Sequence, residues 1–205
     1  MVLKEENELI LEEESILPIV GIGSSAGGLE ALEKFFSNMP TNSRMAFVVI
    51  PHLDPNYKSQ LCELIQKYTR MEVSEVVNEV KIKPNHVYII PPNKNLAIEN
   101  GKLVTSVPKA PRGLRLPIDF FFRSLALNQK ENAICIILSG TGTDGTLGLR
   151  EVKGVGGMVM VQVPESAKYD GMPKSAINST LVDYIIPPED MPNQLIEYIN
   201  QSLKY

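Results

Sequence analysis

Three polar positions follow short apolar runs and are bracketed by turn-forming residues. They are Ser24-Ser25 within Gly21-Ile22-Gly23-Ser24-Ser25-Ala26-Gly27-Gly28, His52 within Ile50-Pro51-His52-Leu53, and Asp144 within Ser139-Gly140-Thr141-Gly142-Thr143-Asp144-Gly145. A serine, a histidine and an acid are the parts of an activated nucleophile: the imidazole takes the hydroxyl proton while the carboxylate fixes its tautomer and stabilises its charge. Gly23-Ser24-Ser25-Ala26-Gly27 fits the G-x-S-x-G elbow, which puts Ser25 at the apex of a strand-to-helix turn. Read as Gly21-x-Gly23-x-x-Ala26, the same turn fits a dinucleotide fingerprint whose helix amides cradle phosphate. Each residue alone also has an ordinary explanation. Ser24, Ser25 or Asp144 can cap the helix that follows, and His52 can be a turn residue. Asp54 is placed to orient His52 but reads better as a turn former. His86, the other of the two histidines, opens an apolar run and is expected to be structural.

The nucleotide reading weakens where the second strand ends. An NAD site has an acid there, or an arginine nearby for NADP, whereas this strand ends in Ile50-Pro51-His52. The loop from Ser139 to Gly145 lacks the Lys-Ser/Thr ending of a P-loop. Nucleotide binding therefore ranks second, and a non-catalytic interaction module is a third reading.

The elements that must position these residues follow from periodicity. Ile19 to Ile22, Ala46 to Ile50, Met71 to Val77, Ala133 to Leu138, Gly157 to Val161 and Val182 to Ile186 read as strands. Helices are expected from Gly28 to Ser37, near Lys58 to Tyr68, after Pro117, from the Asp144 loop to Lys153, from Pro173, and after Pro188. This alternation predicts βα units around a mostly parallel sheet, with the polar loops at the carboxyl ends of its strands. His86 to Pro92 and Asn95 to Val104 read as short strands of an antiparallel insert, with Asn100-Gly101 as a hairpin turn. Phe120, Phe121 and Phe122 are assigned to the core.

Composition narrows the function classes. A chain of 205 residues, 43% hydrophobic and 21% charged, suits one α/β domain with a full core. A net charge of -4, with no Lys/Arg cluster, argues against a nucleic-acid partner. Residues 1–17 form an acidic lead-in expected to lie outside the fold, leaving residues 18–205 as the domain. There is no apolar run long enough to span a membrane and no signal-peptide pattern, so a cytoplasmic protein without membrane insertion is expected. Cys62 and Cys135 lie in no ligand-like spacing, so neither a metal nor another cofactor is expected.

Taken in order, these motifs, together with Asn85-His86-Val87-Tyr88-Ile89-Ile90-Pro91-Pro92 and Gly171-Met172-Pro173, resemble the CheB-type chemotaxis protein-glutamate methylesterases. The resemblance runs from Pro18 to the C-terminal helix. It implies a three-layer α/β/α fold, doubly wound, with a mostly parallel sheet of about seven strands and an antiparallel hairpin insert. It also implies Ser25 as nucleophile, His52 as base and Asp144 as orienter. The implied activity is hydrolysis of glutamyl γ-methyl esters on a methylated chemoreceptor or related sensor, with glutamine deamidation as a second activity. Where many members have Thr and Met, this chain has Ala26 and Thr141, so an oxyanion role there falls to the backbone amides. The sequence shows no counterpart of the receiver domain that usually precedes the catalytic domain. Its wording in Gly113 to Arg123 and Glu165 to Pro173 is nearest to the branch fused to a CheR-type methyltransferase, which makes such a domain a candidate partner. Histidine precedes the acid here, the reverse of the α/β-hydrolase order.

Overall fold

The computed structural model describes residues 17–52, 60–111 and 114–202. The acidic lead-in up to residue 16, Asp54 and the start of the expected Lys58 helix lie outside them. In chain order the elements are β1 (Ile19–Ser24), α1 (Gly28–Asn38), β2 (Ala46–Pro51), α2 (Gln60–Gln66), β3 (Glu72–Glu75), β4 (Glu79–Lys81), β5 (His86–Ile89), β6 (Asn95–Glu99) and β7 (Lys102–Ser106). They continue as α3 (Pro117–Gln129), β8 (Ile134–Ile137), α4 (Thr146–Gly154), β9 (Met158–Gln162), α5 (Gly171–Asn178), β10 (Tyr184–Ile186) and α6 (Met191–Ser202).

Seven strands form one sheet in the order β10-β9-β8-β1-β2-β5-β3, and every pairing in it is parallel. Alternation along the strands divides the core into two layers. In β2, Ala46, Val48 and Ile50 face the layer that holds Phe121, Phe122 and Leu125 of α3, whereas Phe47 and Val49 face Leu32, Phe35 and Phe36 of α1. The result is the three-layer α/β/α arrangement. No helix among the described residues is long and apolar enough to cross a membrane.

The insert differs from the reading of the sequence. Strands β6 and β7 do form the Asn100-Gly101 hairpin, but their third antiparallel partner is β4. Strand β5 belongs instead to the main sheet, parallel to β2 and β3. The reason lies in its own residues: His86, Val87, Tyr88 and Ile89 are all buried, as an interior parallel strand requires on both faces. The triple Phe also divides. Phe121 and Phe122 are fully buried but Phe120 is 40% exposed, because a step of about 100° per residue cannot put three consecutive side chains on one helix face.

His86 is structural, as expected. Its Nε2 lies 2.8 Å from Ser74 Oγ on the edge strand β3, and its ring stacks on Tyr88 at 4.2 Å between centroids. Burial lowers its affinity for a proton below the ordinary imidazole value, Glu72 pulls the other way, and Lys83 adds to the lowering. The unfolded chain therefore binds the proton more readily. This contribution is fully present above about pH 6.5 and is lost as pH falls below that value. Thermal unfolding followed from about pH 7.5 to about pH 5 should show a smaller loss of Tm for His86→Gln than for the wild type; equal slopes would refute the assignment.

Candidate active site

The strand order reverses beside β1. From β1 the chain builds outward through β2 toward the β3 edge, then returns to lay β8 on the other side of β1 and builds outward again to β10. Such a reversal opens a crevice at the carboxyl ends of the two central strands, and all three candidate residues come from loops at that edge.

Backbone bonds hold these loops together. Ser24 is the partner of Pro51 in the β1–β2 register, and the His52 amide donates to the Ser24 carbonyl at 2.8 Å, which places Ser25 and His52 at adjoining strand ends. The Ser25 amide donates to the Ser139 carbonyl at 2.9 Å, tying the same turn to the loop after β8. Ser139, almost fully buried, fixes that loop in turn. Its hydroxyl donates to the Ala26 carbonyl at 2.8 Å and accepts from the Tyr169 amide at 3.0 Å, and its amide donates to Gln162 Oε1 at 2.8 Å. Gly140 then passes so close that a side chain there would run into Met172 and lie 2.9 Å from Ser25 Cβ.

The glycines of the first turn serve helix packing. A side chain at Gly21 would lie 3.0 Å from the rings of Phe121 and Phe122, and one at Gly23 would lie 2.5 Å from Ile118. Their missing side chains make room for α3, not for a pyrophosphate, which removes the main support for the dinucleotide reading. The capping explanations fail as well. Helix α1 is capped by Gly27, at φ 73°, and α4 by Gly145, at φ 95°; neither cap uses a side chain, so Ser24, Ser25 and Asp144 do not cap the helices that follow them.

Asp144 instead caps a helix distant in sequence. Pro117 opens α3 and has no N–H, so Ile118 and Asp119 carry the first free amides; both donate to Asp144, at 3.1 Å to Oδ2 and 2.9 Å to Oδ1. The positive end of α3 thus faces the carboxylate. Asp144 Oδ2 also lies 2.7 Å from His52 Nε2. Because the ionised carboxylate only accepts, Nε2 carries the proton and Nδ1 is left as the basic nitrogen. That is the reverse of the nitrogen usage in the chymotrypsin template. The His52 side chain is 36% exposed while that of Asp144 is 4% exposed, so the pair has one end open to solvent and one buried.

The structure thus brings His52 and Asp144 into contact and sets Ser25 beside them. Among the described residues Ser25 Oγ makes no hydrogen bond to His52; such bonds commonly tighten only when substrate is present. The Ala26 and Thr141 amides donate to no other group among the described residues. Among the described residues no group of three or more His, Cys, Asp or Glu side chains is placed to hold a metal. Ser139, Gln162 and Asp119 were missed by sequence reasoning. Asp119 had a signal, an acid within the apolar run Leu116-Pro117-Ile118-Asp119-Phe120-Phe121-Phe122; Ser139 and Gln162 had none beyond standing at strand ends.

A doubly wound parallel sheet with a Ser, a His and an Asp gathered at its switch point defines the class, an α/β protein whose chemistry sits at the crevice beside its central strands. Within that class, the family model described as CheB methylesterase matches residues 20–195. The chain belongs to the CheB methylesterase family. The crystal structure of the Thermotoga maritima CheB methylesterase catalytic domain superposes with a TM-score of 0.83 at 34% identity, covering 89% of this chain and 99% of that one. The protein-glutamate methylesterase/protein-glutamine glutaminase of Thermotoga maritima is 34% identical over 88% of this chain and 54% of its own length. A putative protein-glutamate methylesterase/protein-glutamine glutaminase of Leptospira interrogans is 30% identical over 89% of this chain and 95% of its own. The chain therefore spans about half the length of the Thermotoga relative and nearly all of the Leptospira one.

Proposed function

We propose that this chain hydrolyses glutamyl γ-methyl esters on a methylated chemoreceptor or related sensor, with residues 18–205 as the catalytic domain. The observation that carries the reading is the 2.7 Å contact between His52 Nε2 and Asp144 at the strand edge that also bears Ser25. Ser25 Oγ attacks the ester carbonyl carbon while its proton passes to His52 Nδ1. The oxyanion that forms is received by the Ala26 and Thr141 amides, which are fixed before reaction and need no reorganisation. Collapse of the tetrahedral adduct expels the methoxy group, His52 returns the proton, and methanol leaves. A water then gives its proton to His52 and attacks the γ-glutamyl ester of Ser25, releasing glutamate and restoring the serine. A glutamine side chain entering the same site would release ammonia through the same acyl-enzyme.

The proposed setting is the cytoplasm, where the sensor's modified segments are reached without membrane insertion. A CheR-type methyltransferase, which makes the ester, is the natural counterpart. The test is methanol release from a methylated receptor: the wild-type chain is expected to release it in proportion to enzyme concentration. A folded chain that binds the receptor and releases none would overturn the reading in favour of an interaction module, and a rise in Tm with NADP or ATP would favour nucleotide binding.

A further inference from the structure

We propose that Asp119 is a positioning residue that aims the Asp144 carboxylate at His52 by locking the first turns of α3 and α4 together. The two acids exchange caps. Asp144, just before α4, accepts the Ile118 and Asp119 amides of α3, and Asp119, in the first turn of α3, accepts the Gly148 amide of α4 at 2.6 Å through Oδ1. Each carboxylate thereby satisfies orphan amides of the helix that the other belongs to or precedes.

Several observations make this more than a local cap. Asp119 is 2% exposed, and an acid is stable at such a site only when hydrogen-bonded. Burial is the main force raising its proton affinity, the Gly148 bond opposes that, and the neighbouring Asp144 charge adds to it. A second carboxylate beside Asp144 is thus held at an electrostatic cost, which a purely apolar helix contact would not incur. The helices also meet at this point: a side chain at Gly148 would lie 3.0 Å from Asp119 Cα and 2.6 Å from Phe122 Cβ. The Asp119 backbone therefore cannot shift without moving α4. Its own N–H is one of the two amides that set the plane of the Asp144 carboxylate, whose other hydrogen-bond partner among the described residues is His52. Displacing that amide by an ångström misaims the imidazole, an error of a size that can cost about 10²-fold in rate.

The inference rests on the proposed role of His52 and Asp144 but has a readout that needs no substrate. The chain contains two histidines, so long-range ¹H–¹⁵N correlations resolve two rings and report which nitrogen of His52 carries the proton. Asp119→Ala, which leaves the Gly148 amide without its acceptor, is expected to turn the single Nε2–H form of His52 into a mixture of tautomers. Its kcat for methanol release should fall about 10- to 100-fold with KM within about twofold. Asp119→Asn, which keeps an acceptor oxygen, should restore the single tautomer and bring kcat to within about threefold of wild type. If Asp119→Ala does not fold, Asp119→Ser takes its place, since its shorter side chain cannot hold the Gly148 amide in the same position. A folded Ala or Ser variant with the wild-type tautomer and kcat would overturn the proposal, as would an Asn variant as impaired as the Ala variant. Loss of the tautomer in the Ala or Ser variant and its rescue by Asn, in a wild type that releases no methanol, would overturn the proposed activity and support the positioning.

Discussion

Ser25→Ala and His52→Ala are each expected to lower methanol release by about 10⁴-fold or more, and the double variant to be scarcely worse than either one. The non-additivity is the sharper part of the expectation. A serine without its base and a base without its serine are equally unable to form the acyl-enzyme, so the second loss has little left to remove. Asp144→Asn should approach the same loss while leaving the fold intact. The native carboxylate accepts from His52 Nε2, the Ile118 amide and the Asp119 amide. Asparagine offers one oxygen and one NH₂ to those three donors, so one must face another donor, and the His52 tautomer is no longer dictated. Rates measured on methylated receptor by methanol release decide the matter. Wild-type turnover in any of the three single variants would remove that residue from the mechanism.

Phe122→Ala is expected to cost about 3–5 kcal/mol of stability, the range for removing a fully buried ring that its surroundings cannot collapse onto. The surroundings are unusually stiff at this position. With Phe121, the ring fills the space that Gly21 leaves on β1, and its Cβ lies 2.6 Å from where a side chain at Gly148 would begin. A sheet strand and a helix both carry glycine where this ring packs, and the strand's glycine is also filled by Phe121, so neither backbone can move in to close the void. Urea denaturation should show a lower midpoint at unchanged slope, and a loss of less than about 1 kcal/mol would refute the packing argument. Phe120→Ala is the internal control. That residue is 40% exposed, and its removal is expected to stay within about 0.5 kcal/mol of neutral.

The contrast between these two phenylalanines shows what could be read from the sequence. Local pattern gave the helix that carries Phe120, Phe121 and Phe122, but only its approach to β1 decides which rings are buried. Strand β5 makes the same point at the level of topology. Its four buried residues mark it as a strand, yet nothing local says that the chain runs first to the β3 edge, then through the antiparallel β4, and only afterwards fills the place between β2 and β3. The positions of Ser25, His52 and Asp144 were legible because each stands at the carboxyl end of a strand, where a parallel sheet gathers its loops. What was not legible is how they are held. Asp144 looked like a cap for the helix that follows it but caps α3 from 25 or more residues away in sequence, and that contact exists only once the two helices pack. The placement of the proton on Nε2 of His52 likewise follows from a contact distant in sequence, the Asp144 carboxylate that this nitrogen meets.

Four of the bonds that join the loops of the candidate site run between peptide groups: His52 to Ser24, Ser25 to Ser139, and Gly140 to both Tyr169 and Met172. Peptide groups are common to nearly every residue type, so these four bonds do not themselves depend on side-chain identity, and the rim of the site can drift while Ser139 and Gly140 are kept. Proline, which brings no N–H, marks the edge of that freedom. A lineage could therefore lose its nucleophile or its base by a single base change and still inherit the same crevice, free to be put to another use.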